Sequence, residues 1–138
     1  MKKIENGTIT NVKGIKATGI SAGLKNSGKK DLALIYSEGK AVCAGVFTKN
    51  LAKAAPILID MEHIKNENTQ AIVVNSGNAN SCTGEKGLIN AKKMAEIVAK
   101  KFELKTEEVL VQSTGKIGVQ LNMDKIENGI DKEKQPLE

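Results

Sequence analysis

Two stretches of this 138-residue chain carry residue types that could do acyl-transfer or anion chemistry. Ser113-Thr114-Gly115 follows residues 108–112 (EVLVQ), a strand-like run, so the tripeptide is expected just past a strand end. There backbone N–H groups leave the ladder, and a glycine lets a substrate come close. Two such N–H groups, helped by the threonine hydroxyl, would stabilise an oxyanion in acyl transfer. The plain alternative is a turn between strand and helix. The second stretch, Asn75-Ser76-Gly77-Asn78-Ala79-Asn80-Ser81-Cys82-Thr83-Gly84, lies between an apolar run and a helical pattern. Its small residues and amides could form an anion site, but general physics favours a tight strand-to-helix connection.

Two further motifs lack the surroundings their chemistry needs. Gly23-Leu24-Lys25-Asn26-Ser27-Gly28-Lys29-Lys30 matches a phosphate-binding P-loop except at its last position, where Lys30 replaces the magnesium-binding hydroxyl. It also leads into a strand-like run instead of a helix whose N-terminus could hold phosphate. Gly19-Ile20-Ser21-Ala22-Gly23 spells the nucleophile elbow of serine hydrolases, and Asp60 and His63 follow in a suitable order. The elbow requires a helix after the serine, whereas a turn-rich segment follows here, and His63 in its polar stretch reads as a surface residue.

Composition narrows the classes further. All 21 basic residues are lysine, set against 16 acidic ones for a net charge of +5, and aromatic residues make up 2%. Without the arginine fork or stacking platforms, no nucleic-acid partner is expected, and the charge reads as a solvated surface. Cys43 and Cys82 have no metal-ligand spacing around them, so no metal site is expected. With neither a signal-like N-terminus nor an apolar span, the expectation is a cytoplasmic protein with no membrane association.

The elements that must position these residues follow from periodicity. Residues 31–37 and 41–47 flank Glu38-Gly39-Lys40 and predict a hairpin; residues 54–59, containing Pro56, read as an edge strand or strand start. Residues 62–70 read as a short helix or loop, and residues 71–74 as a strand breaking into the Asn75 segment. Leu88, Ala91, Ala95, Val98 and Phe102 recur at helical spacing, predicting an amphipathic helix over 84–102. A further helix is expected near Met123 or Asp124. The whole is an α/β (α+β) chain forming one domain over residues 1–138, with 132–138 a disordered or vector-derived tail.

Taken together, residues 23–35, Gly45-Val46-Phe47-Thr48, Ala54-Ala55-Pro56, the VNSGNANSCTG string from Val74 to Gly84, and Ser113-Thr114-Gly115-Lys116-Ile117-Gly118 resemble the N-terminal (α-chain) part of the ornithine acetyltransferase family. The resemblance runs over about residues 14–130, and the VNSGNANSCTG string is its specific element. It implies the N-terminal portion of a layered αββα-type sandwich of the DmpA/ArgJ-like kind. It also implies a transferase of arginine biosynthesis that moves acetyl from N-acetylornithine to glutamate, and in many members from acetyl-CoA to glutamate. In that family the precursor cleaves itself before a threonine, which becomes the N-terminal nucleophile of the β-chain with its own amine as base. The family's Thr-Gly oxyanion hole carries over onto Thr114 and Gly115, with Asn75, Ser76, Gly77 and Asn78 as a substrate-side loop.

Several expectations follow from the resemblance: a β-chain partner in an αβ heterotetramer, N-acetylornithine and glutamate as substrates, and no cofactor beyond acetyl-CoA as an optional co-substrate. The nucleophilic threonine has no counterpart in these residues, so the chain alone is expected to be inactive. An expectation from another class is a non-catalytic truncated fragment or relic acting as a binding module.

Overall fold

The computed structural model describes residues 4–132. Strands β1 (Ile15–Ile20), β2 (Leu32–Ala41), β3 (Thr69–Asn78) and β4 (Val109–Lys116) form one sheet in the order β1-β2-β3-β4. The first three pair antiparallel, while β4 runs parallel to β3 and lies on the sheet edge. A parallel neighbour requires a crossover, which helix α2 (Gly84–Phe102) supplies. Helices α1 (Ala55–His63) and α3 (Met123–Lys132) complete the mixed α+β fold.

The core lies between one face of the sheet and the helices. Along β3, Thr69, Ala71, Val73 and Asn75 are buried in strict alternation, so every second side chain enters the core. On α2, Ala91, Met94, Ala95, Val98 and Ala99 are buried at helical spacing, and the last four pack in one cluster with Leu34, Val73, Val109 and Val111. Ile126 and Ile130 of α3 are fully buried in the same cluster. Tyr36 and Phe102, two of the three aromatic residues, stack with ring centroids 4.7 Å apart. The other face of the sheet presents the half-buried Ala33, Ile35, Ile72 and Val74, none of which belongs to that cluster. No helix among the described residues is long and apolar enough to cross a membrane.

The α2 boundaries agree with the periodicity, and α3 begins where expected. Other elements differ from the sequence reading. Residues 38–40 are no turn: β2 runs continuously to Ala41, with its register shifted between Tyr36 and Ala41. Glu38 is held by its N–H bond to the Gly14 carbonyl and by Lys16 at 2.8 Å. The hairpin is instead formed by β1 and β2, and residues 42–54 form no strand.

The apolar run 54–59 opens α1 and is not a strand. Pro56 sits in the first helical turn, where a missing N–H costs nothing because those donors have no intrahelical acceptor. Both β3 and β4 extend beyond the apolar residues that signalled them, taking in residues 75–78 and 113–116. The tail at 133–138 lies outside the described residues.

Candidate active site

The extended strands bring the two candidate segments side by side. Asn75 pairs with Ser113, Ser76 with Thr114, Gly77 with Gly115 and Asn78 with Lys116. Ser113-Thr114-Gly115 therefore lies within a strand, not past its end, and its N–H groups alternate in direction. The Lys116 carbonyl accepts from Ala79 N–H at 2.9 Å, so Lys116 faces β3. The Val111 N–H donates to Asp60 on α1, and the Val109 carbonyl lies 2.7 Å from His63 Nδ1, so these odd-numbered positions face the outer edge. By strand alternation the Gly115 N–H shares that outer edge, while the Thr114 N–H turns toward β3. Two consecutive N–H groups thus cannot form the donor pair. The hydroxyl of Thr114 and the N–H of Gly115 are the adjacent groups left to do so, and both residues are exposed.

Glycine is required at two positions here. Gly115 has φ +134°, and a Cβ on it would sit 2.3 Å from the Gly77 carbonyl carbon. Gly77 itself has φ +117°, with the Leu24 carbonyl oxygen 3.6 Å from where its Cβ would be. The two backbones can approach because Gly115 carries no side chain, while at Gly77 it is the positive φ that calls for glycine.

The surrounding polar groups brace this junction. Asn75 is fully buried; its Oδ1 accepts from Ser113 Oγ at 2.5 Å and its Nδ2 donates to the Asn78 carbonyl at 3.0 Å. Ser76 N–H donates to the Asp31 carbonyl at 2.8 Å. The buried Asp31 carboxylate in turn accepts N–H bonds from Ala22 and Lys25, each 2.8 Å, folding the β1–β2 loop beside Gly77. The P-loop-like residues therefore shape a connection between strands.

Asn78 Nδ2 lies 3.4 Å from both the Val119 and Gln120 carbonyls. Farther along, buried Asn80 donates to the Gly87 carbonyl at 2.9 Å and accepts from Thr83 Oγ1 at 2.8 Å. The asparagine-rich segment is thus a hydrogen-bonded strand-to-helix connection, with Ser76, Gly77 and Asn78 left half-exposed beside Thr114 and Gly115.

The hydrolase arrangement does not assemble. Ser21 Oγ donates to the Gly28 carbonyl at 3.1 Å within the β1–β2 loop. Asp60 and His63 instead hold α1 against β4, and His63 is buried (5% exposed) where a surface position was expected. Burial pushes the Asp60 carboxyl up to about 6, opposed by the Val111 N–H and by nearby His63. The sequence offered Asp60 only a place in the hydrolase order, though its three-residue spacing from His63 signals a shared helix face. No group of three or more potential metal ligands occurs among the described residues.

This is a mixed α+β sheet-and-helix unit whose edge strand presents a hydroxyl and a backbone donor suited to an oxyanion. The chain belongs to the ArgJ family, which it matches over residues 16–138. It is 52% identical over 132 residues to the arginine biosynthesis bifunctional protein ArgJ 1 of Clostridium acetobutylicum, covering 96% of this chain and 32% of that protein. It is 56% identical over 129 residues to the ArgJ protein of Caldanaerobacter subterraneus subsp. tengcongensis, covering 94% and 32%. The chain thus spans about a third of the length of these relatives.

Among solved structures, the ArgJ protein of Bacillus halodurans superposes with a TM-score of 0.91 at 43% identity, covering 95% of this chain and 69% of that one. Ornithine acetyltransferase of Mycobacterium tuberculosis, complexed with ornithine, gives 0.88 at 41% identity, covering 92% and 69%.

Proposed function

We propose that this chain is the oxyanion-hole part of an acetyltransferase of arginine biosynthesis that moves acetyl from N-acetylornithine to glutamate. The observation that carries the reading is the Gly77–Gly115 register pair. There the two backbones meet with no room for a side chain on Gly115, next to the exposed Thr114. Names of relatives support the pathway, and a solved relative complexed with ornithine supports the substrate class.

In the proposed reaction a threonine hydroxyl of a β-chain attacks the acetyl carbonyl, with its own amine taking the proton. Thr114 Oγ and Gly115 N–H stabilise the oxyanion. The C–N bond then breaks, the amine leaves as ornithine after taking up the proton, and an acyl-threonine remains. The glutamate amine attacks this ester through a second oxyanion in the same donors, yielding N-acetylglutamate and free threonine. Ser76, Gly77 and Asn78 line the substrate side, and the half-buried apolar face of the sheet receives the second layer of the αββα sandwich.

The reading includes an αβ heterotetramer, a cytoplasmic location and no resident cofactor, with acetyl-CoA as an optional second acetyl donor. The acyl-accepting threonine comes from polypeptide outside these 138 residues. The decisive assay compares purified 138-residue chain with the complete processed protein, using N-acetylornithine and glutamate. Turnover by the complete protein alone is the expected result. Turnover by the isolated chain, or by neither sample, would reject the reading.

A further inference from the structure

Glycine permits the backbone shape at Gly77 and Gly115 but does not select it. Their φ angles of +117° and +134° are each one of several conformations open to a residue without Cβ, so another group must hold the chain there. One side chain is placed to do so. Asn75 is 0% exposed, and strand alternation turns it toward the helix-covered face with Ala71 and Val73. Its Nδ2 donates to the Asn78 carbonyl at 3.0 Å, closing a loop over Ser76 and Gly77. Its Oδ1 accepts from Ser113 Oγ at 2.5 Å on the neighbouring strand. A single carboxamide thus spans the glycine kink of β3 and grips β4 one residue before Thr114 and two before Gly115. Both bonds are partly buried, where a hydrogen bond is electrostatically stronger than in water.

We infer that Asn75 is a positioning residue of the oxyanion hole, acting through the backbone to keep the Thr114 hydroxyl and the Gly115 N–H in fixed relation. The inference rests on the acetyl-transfer reading and adds to it the side chain that holds the donors. Ser113 shares the covered face with the buried Val111, and the next side chain, Thr114, leaves the strand on the opposite face. Asn75 therefore lies behind the donors and does not touch the substrate. Its amide suits the task because it offers a donor at one end and an acceptor at the other. Aspartate could accept from Ser113 but would oppose the Asn78 carbonyl. Donors preorganised for a developing charge depend on such support, since a misplacement of about 1 Å can cost on the order of 10²-fold in rate.

The test uses the complete processed enzyme with N-acetylornithine and glutamate, kcat being referred to the amount of processed β-chain. Ser113→Ala deletes only the tie to β4, Asn75→Ala deletes both ties, and Ser113→Thr keeps the hydroxyl. The two alanine variants are expected to lower kcat about tenfold or more with KM within about twofold of wild type, and Ser113→Thr to retain most of kcat. Each substitution is repeated with Thr114→Val. Once the hole has lost its hydroxyl, the same substitution should cost a clearly smaller factor, because residues that act as a unit are not additive. General damage to the fold would act equally in both backgrounds.

Because Asn75→Ala also removes buried packing, Ser113→Ala carries the decision. Unchanged kcat in Ser113→Ala, or the same factor lost with and without Thr114→Val, overturns the positioning role and leaves the acetyl-transfer reading standing. Failure of wild-type enzyme to use N-acetylornithine and glutamate overturns both.

Discussion

Gly77 and Gly115 face each other across the parallel strands β3 and β4, both at positive φ, and a Cβ on Gly115 would lie 2.3 Å from the Gly77 carbonyl carbon. That pairing ties the asparagine-rich segment to the Ser-Thr-Gly tripeptide and makes one site of two sequence signals 38 residues apart.

Gly115→Ala should therefore be strongly destabilising. The added methyl combines a backbone clash with a conformation that L-residues avoid, and the expected cost is about 3 kcal/mol or more. Chemical denaturation of wild-type and variant protein measures it directly. A loss below about 1 kcal/mol would mean that the strands part easily at this point.

Thr114 makes the opposite kind of prediction, because its side chain is exposed and its loss should barely change stability. In the complete enzyme Thr114→Val should lower kcat on the order of 10²–10³-fold with a smaller effect on KM, while Thr114→Ser retains most activity. Equal kcat for the valine and serine variants would remove the hydroxyl from the oxyanion hole.

Asn75 is buried and bonded at both ends of its amide, so Asn75→Ala leaves the Ser113 hydroxyl and the Asn78 carbonyl without that partner. The expected loss is about 2–3 kcal/mol. Ser113→Ala removes only the donor to Asn75 Oδ1 and should cost less. Thermal melts that rank the two variants in the reverse order would show that Asn75 is not the brace of this junction.

Asp60 gives a pH dependence with a definite sign. Burial raises its pKa from 3.8 to about 6, so the folded protein binds the proton more tightly than the unfolded chain. The resulting stabilisation is fully present below pH ~3.8 and is lost as pH rises through ~6. Asp60→Asn cannot ionise, so it should be more stable than wild type at pH 7.5 by about 1–3 kcal/mol, with the gain fading toward pH 4. Melting temperatures at several pH values test this, and a difference that does not vary with pH would contradict it.

The structure also explains which sequence signals were sufficient. Helix α2 was legible because its buried residues repeat at the helical period from Gly87 to Ala99, a pattern no strand shares. Residues 54–59 were not legible, since a short apolar run containing proline suits either a strand start or a first helical turn. Packing against β4, through Asp60 and His63, selects the helix. The Glu38-Gly39-Lys40 hairpin failed for a related reason: β2 finds its partners in β1 and β3, one before it and one far along the chain, and no turn is needed after Tyr36.

By itself the sequence determined the residue inventory of the site, the helix-and-strand alternation that surrounds it and the family resemblance carried by the VNSGNANSCTG string. Those properties reside in local order and composition. Only the tertiary structure decided that Thr114 and Gly115 lie inside an edge strand, that the outward donor is the amide of Gly115, and that a buried carboxylate lies along the same edge. The direction of a backbone N–H depends on which strand lies beside it, and strand order is settled by contacts between residues far apart in the chain.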